Sequence, residues 1–302
     1  VKAADEAQVE SGWKPGRAFT RVWWRRIAIR AAVVLFFILV VRMTHIVESL
    51  TFYFPSRKAF LTPAAAEDVT FVARDGVKLH GWFVRASDAK SGEVRPVIVH
   101  THGNAGNIAD HLAFSEHLAQ AGFHVFLFDY RGYGRSDAKR LITRDDLVRD
   151  AHAALDAVIA RSDVDREAIG VYGVSLGGVP ALAIAAQRPI VKAVCTVSAF
   201  SSFPAVAQDV LPVLGPVLIP TGAAPRNFAA QLRVPYLIVH GTADEVVSAR
   251  HAEILEAAAK EDKIARVQRA MVQGADHNVV MDGVAAQVAT IAFFRQYLVR
   301  VP

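Results

Sequence analysis

The sequence predicts an α/β protein with a mostly parallel sheet, an antiparallel edge and helices on both faces. Three observations predict it. Strand patterns alternate with helix patterns through most of the chain, and repeated β-then-α units imply parallel strands joined by crossover helices. Arg74-Asp75-Gly76 lies between two runs of alternating residues, the signal of a hairpin and so of an antiparallel edge. An apolar strand pattern at 168–172 runs into Gly173-Val174-Ser175-Leu176-Gly177-Gly178, a glycine-framed turn that opens a helix.

Taken in order, residues 69–72 and 78–84 form the hairpin, and 97–100 reads as a short buried strand. A helix over 108–121 ends near Gly122. Residues 124–128 form a strand, 145–160 an amphipathic helix, 168–174 a strand, 176–188 a helix and 193–197 a strand. Strands at 235–240 and 269–272 and a helix at 284–299 complete the domain. Residues 200–230 break the rhythm. They carry Pro204, Pro212, Pro216, Pro220 and Pro225 among apolar residues. A segment of that length reads as a cap over the strand ends, with ordinary surface packing as the alternative.

The 302 residues are 53% hydrophobic and 21% charged, a composition that excludes disorder as the main state. The single cysteine, Cys195, excludes an internal disulfide framework and a cysteine-rich zinc module. The net charge of +5 lies in the first 42 residues, which hold eight Lys/Arg and three Asp/Glu; the other 26 basic and 26 acidic residues balance. The excess is therefore a tail and not a nucleic-acid-binding face.

That tail has a pattern. Six cations and no acid lie between Trp13 and Arg30, and the apolar run 31–41 follows. Extended to 27–47, the segment has 21 residues, about 31 Å as a helix, enough to cross the hydrocarbon core. Trp23 and Trp24 precede it and Phe52, Tyr53 and Phe54 follow, as interfacial aromatics do. The expected organisation is a basic tail at 1–26, a membrane anchor helix at 27–47, a connector at 48–66 and a catalytic domain at 67–302 with the cap-like insertion at 200–230. The charge bias predicts a cytoplasmic N-terminus and a catalytic domain on the other side. A cleaved signal peptide and an amphipathic surface helix are the alternatives.

The candidate chemistry begins at Ser175, whose hydroxyl the tight turn holds clear of the sheet at a helix N-terminus. A serine nucleophile needs a base, and the base needs an orienting acid. Asp244 follows the strand Leu237-Ile238-Val239-His240, and His277 follows the next strand, so both fall at the same sheet edge as Ser175. Glu245 and Asp276 are the competing acids. Oxyanion donors are expected from the backbone N–H groups of Leu176 and Asn104, the latter in His102-Gly103-Asn104-Ala105-Gly106-Asn107. His100-x-His102 lacks a third ligand in its motif, so no metal is expected there, and a serine mechanism calls for no organic cofactor.

Together these residues resemble the α/β-hydrolase superfamily. The His102–Asn107 block and Asp129-Tyr130-Arg131-Gly132-Tyr133-Gly134-Arg135-Ser136 narrow the resemblance to the membrane-anchored serine hydrolases related to the bud-emergence (Bem) protein, a lysophospholipase-like and protein-depalmitoylase-like group. It covers roughly residues 66–300. It implies the α/β-hydrolase fold and an acyl ester or thioester substrate, possibly a lipid, attacked by Ser175. A peptidase-like hydrolase and a non-catalytic membrane scaffold are the rival functions. The chain departs from the group at Asp276, where glycine is frequent, at Val279, where an acid is common, and at Asp137-Ala138. Arg131 reads as a tie between loops in preference to a substrate contact.

Overall fold

The computed structural model describes residues 17–262 and 264–299. The chain divides into two units, one ending at Thr44 and the other running from His45. In the first, helix α1 (Arg17–Thr44) contains the stretch Arg21–Thr44, within which an 18-residue window has a mean hydropathy of 2.3 and no buried residue. By length and composition it can cross a membrane.

The second unit opens with a short helix, α2 (Ile46–Phe52), and the two-residue strand β1 (Phe54–Pro55). The strands β2 (Ala66–Val72), β3 (Lys78–Val84), β4 (Arg95–Thr101) and the two-residue β5 (Ala105–Gly106) follow. Helices α3 (Ile108–His111) and α4 (Ala113–Gln120) lead to β6 (His124–Asp129), α5 (Arg144–Ile159) and β7 (Val164–Val174). A single 3-10 turn, Ser175–Gly177, joins β7 to α6 (Gly178–Gln187), and β8 (Val191–Val197) follows. Three short helices, α7 (Phe203–Val210), α8 (Leu214–Leu218) and α9 (Pro225–Ala229), occupy the predicted cap. The unit ends with β9 (Tyr236–Gly241), α10 (Arg250–Ala259), β10 (Val267–Val272), α11 (His277–Asp282) and α12 (Val284–Leu298).

Eight strands form one sheet in the order β10-β9-β8-β7-β4-β6-β3-β2. Strands β2 and β3 are antiparallel to their neighbours, and the remaining pairs are parallel. The two-residue side-chain period splits the core between the faces. Val97, Val99, Ile169 and Val171 join Leu147 and Leu155 of α5 and Leu182 of α6. Ile98, Tyr172, Cys195 and Leu237 join Leu118 of α4 and Phe293 and Phe294 of α12. Strands buried on both faces explain the continuous apolar runs in the sequence.

The structure differs from the sequence reading in four places. The expected helix over 108–121 is two helices that meet at Leu112. Helices α10 and α11 have no counterpart in the reading. The expected anchor segment 27–47 does not end as one helix: His45 takes φ 53°, which stops α1 at Thr44. The expected connector at 48–66 begins as part of the globular unit, because Glu48, Ser49 and Tyr53 are buried in it.

Candidate active site

The turn after β7 sets the site. A Cβ on Gly177 would lie 1.9 Å from the Thr101 carbonyl oxygen, and one on Gly173 would lie 2.6 Å from Ala181 Cβ. Only glycine allows the serine turn to approach β4, and α6 to approach β7, this closely. Between them Ser175 takes φ 52°, a left-handed conformation that costs about 1–3 kcal/mol and persists only when its surroundings enforce it.

The other site residues come from the loops after β9 and β10. His277 Nε2 lies 3.1 Å from Ser175 Oγ, and His277 Nδ1 lies 2.7 Å from Asp244 Oδ2. The second oxygen of Asp244 accepts the N–H groups of Val246, at 3.0 Å, and Val247, at 2.8 Å. Burial pushes the Asp244 pKa up, but the hydrogen bonds from His277 and the Val247 amide outweigh it and hold the carboxyl below its usual range. His240 adds a support that sequence reasoning missed. It is fully buried, and its Nε2 donates to the Val247 carbonyl at 2.8 Å, which pins the loop carrying Asp244. Burial pushes the pKa of His240 down, keeping the imidazole neutral. The signal was present at the end of strand Leu237–His240, but the residue lies four positions before the acid and carries no motif.

The two competing acids do not enter this chain of contacts. Glu245 is exposed. Asp276 is the N-cap of α11: its Oδ1 accepts the N–H groups of Asn278, at 2.9 Å, and Val279, at 2.8 Å. It thereby sets the start of the helix on which His277 is the first residue. Replacing Asp276 by Ala is expected to cost about 1 kcal/mol of stability, read from urea denaturation midpoints. An unchanged midpoint would remove the capping role.

Asn104 and Leu176 flank Ser175 in the wall of one cavity. The Asn104 carbonyl accepts from the Phe54 amide at 3.0 Å and from the Tyr133 hydroxyl at 2.7 Å, which fixes the Asn104–Ala105 peptide, and the bond between His102 Nδ1 and the Gly103 carbonyl holds the peptide that carries the Asn104 N–H. Pairing of β1 with β5 straps the segment after α2 onto this loop. His100 and His102 turn elsewhere: their Nδ1 atoms meet Ser115 Oγ and the Gly103 carbonyl, both at 2.8 Å.

Two cavities open at Ser175. One, of about 220 Å³, is lined by Val47, Thr51 and Phe52 of α2, by Phe200, and by Val206, Leu211, Leu218 and Ile219 of the cap. Among the described residues no charged side chain lines it. The other is of mixed character: Asn104, Asp110, His111, His277 and Asn278 line it together with Phe114 and Met281. Arg131 faces neither cavity. Its guanidinium, almost fully buried, binds Asp150, Asp75 and Asp146, and so ties three segments of the fold together.

A doubly wound sheet with a strained serine turn at its carboxyl edge defines the α/β hydrolases, and sequence kinship agrees. The chain belongs to the α/β-hydrolase family and is a hydrolase. A family profile described as "Serine aminopeptidase, S33" matches residues 92–221. The chain is 35% identical to the Escherichia coli protein YfhR over 215 residues, 70% of this chain and 75% of that one. It is 32% identical to the α/β-hydrolase domain-containing protein WAV2 of Arabidopsis thaliana over 66% of this chain and 70% of that protein. With Schizosaccharomyces pombe Bem46 it shares 28% identity over 60% of this chain and 61% of Bem46. Among solved structures, the Pyrococcus furiosus esterase Pf2001 superposes with a TM-score of 0.69 at 17% identity, covering 82% of this chain and 99% of the esterase. An acylaminoacyl peptidase from Pyrococcus horikoshii gives 0.63 at 20% identity, covering 78% of this chain and 42% of the peptidase. These likenesses show the fold.

Proposed function

We propose that the protein is a membrane-anchored serine hydrolase of carboxylic esters or thioesters. The observation that carries the reading is the run of contacts Ser175 Oγ to His277 Nε2 to Asp244 Oδ2, at 3.1 and 2.7 Å, beside an apolar cavity. Ser175 Oγ attacks the acyl carbonyl as His277 Nε2 accepts its proton. Asp244 holds the ring with Nδ1–H toward itself and stabilises the imidazolium that forms. The N–H groups of Leu176 and Asn104 receive the charge on the carbonyl oxygen. His277 then gives the proton to the departing alkoxide or thiolate, and water attacks the acyl-enzyme by the same path in reverse. The apolar cavity takes the acyl chain, and the mixed one, which His277 lines, takes the leaving group.

An aminopeptidase would need an acid to hold the substrate ammonium. Among the described residues no charged side chain lines the apolar cavity, and Asp110, in the second cavity, is engaged in the capping box of α3. Esters and thioesters therefore fit better than peptides. Helix α1 serves as the signal anchor, with the basic tail in the cytoplasm and the hydrolase unit on the other side.

A fluorophosphonate probe tests the nucleophile. Wild type should label and Ser175→Ala should not; a folded wild type that fails to label would favour a scaffold. A panel of p-nitrophenyl esters tests the acyl cavity. Each methylene buried in it contributes up to about 0.8 kcal/mol, so four added methylenes should raise kcat/KM by roughly two orders of magnitude. Fastest turnover on the acetyl ester would refute the assignment of this cavity to the acyl chain.

A further inference from the structure

The apolar cavity is ringed by side chains that ordinary core packing would have covered. Val210, Leu211 and Val246, which line it, are 73%, 53% and 60% exposed. Beside them in sequence, Val213 and Leu214 are 77% and 56% exposed. On α2, whose Val47 and Thr51 line the same cavity, Ile46 and Leu50 are 42% and 69% exposed. From 210 to 220 the sequence is VLPVLGPVLIP, without one charged or hydrogen-bonding side chain. Scattered exposed leucines need no explanation, but a cluster around a cavity mouth marks an interaction surface.

What covers this ring is indicated by chain connectivity. The stretch long and apolar enough to cross a membrane ends at Thr44, and His45 alone separates it from α2. In sequence, the residues that rim and line the cavity therefore begin at Ile46 and Val47, directly after the end of the span. Charges near the ring do not call for an anionic partner: Arg250 is paired with Asp209, and Glu245 precedes Val246.

We propose that the ring formed by α2, the 210–214 segment and Val246 inserts into the lipid bilayer, so that the acyl cavity opens into the membrane and takes its substrate from it. This rests on the serine-hydrolase and anchor readings above, and it narrows the substrate to an amphiphilic acyl ester or thioester resident in the bilayer. The acyl chain then passes from lipid to cavity without crossing water. The attraction is apolar and insensitive to salt.

The test uses the full chain reconstituted in phosphatidylcholine vesicles. The sole native cysteine, Cys195, is fully buried, so an introduced surface cysteine can be labelled alone. An environment-sensitive fluorophore on Leu214→Cys, and independently on Leu50→Cys, should shift to the blue and be quenched by spin-labelled lipid. The same label on Val94→Cys, exposed before the opposite end of β4, should do neither. Val213→Asp/Leu214→Asp should slow hydrolysis of a vesicle-borne long-chain ester at least about tenfold while leaving a water-soluble short-chain ester unchanged. Labels that stay water-exposed would overturn the proposal. So would a blue shift that follows protein density without lipid quenching, which would mean a second copy covers the ring, or equal effects on both esters. A wild type that hydrolyses neither ester would refute the hydrolase reading instead, and the fluorophore measurement would still decide the docking.

Discussion

Replacing His277 by Ala should lower kcat on a p-nitrophenyl ester by about 10⁴-fold or more, with little change in stability. The side chain is the shared partner of Ser175 Oγ and Asp244 Oδ2, so its loss removes the proton acceptor and strands the acid together. If the three groups act as the proposed triad, Ser175→Ala/His277→Ala should be scarcely slower than either single variant. Asp244→Asn should also be severe. An amide at that position can donate to the ring where the carboxylate accepts, and this favours the tautomer that cannot take the serine proton. Retention of most activity in His277→Ala would refute the assignment of the base. Retention only in Asp244→Asn would refute the orienting role and leave the base in place.

The contacts among these three residues were foreseeable because each obeys a local rule. Ser175 lies in a glycine-framed turn, and Asp244 and His277 each follow an apolar strand pattern. A parallel sheet brings the carboxyl ends of its strands to one edge whatever their spacing in the chain. The sheet was legible for the same reason, since every central strand is an apolar run between turn signals. Contacts that obey no local rule were not legible. His240 ends such a run, but its bond to the Val247 carbonyl exists only through the path of a loop. Asp276 could be placed beside His277, yet its capping geometry depends on a helix, α11, too short to show a period. The segment after α1 was read as a connector because Glu48 and its partner Arg144 stand 96 residues apart. A lone glutamate in a short mixed segment looks like surface until that partner is known.

That partnership leads to the second large effect. Glu48 is fully buried and binds Arg144 through three contacts: backbone N–H at 3.1 Å, Nε at 3.0 Å and a terminal guanidinium nitrogen at 2.7 Å. The Tyr53 hydroxyl donates to the same carboxylate at 2.9 Å. Arg144 is the first residue of α5, so the carboxylate also meets the positive end of a helix. The guanidinium lies 4.1 Å from the Phe203 ring centre at the start of the cap, and Phe203 packs edge-on against Phe52. Glu48→Ala leaves a buried cation without its counter-charge and should cost about 3–5 kcal/mol, read from denaturation midpoints. Glu48→Leu/Arg144→Met should recover much of this, because an apolar pair of similar volume removes both desolvation costs. Burial pushes the Glu48 pKa up, but the bonds and charge of Arg144 outweigh it, and the folded value lies below the ordinary 4.5. The stabilisation is therefore complete at neutral pH and is lost as pH falls from about 4.5 through the folded value. The functional consequence is selective. Val47, Thr51 and Phe52 lie on the helix that this ion pair holds, and they form one wall of the apolar cavity proposed to take the acyl chain. Below its unfolding temperature, Glu48→Ala should lose more kcat/KM on long-chain than on acetyl esters. Equal losses on both would mean that the ion pair supports the fold alone and that α2 has no part in shaping the cavity.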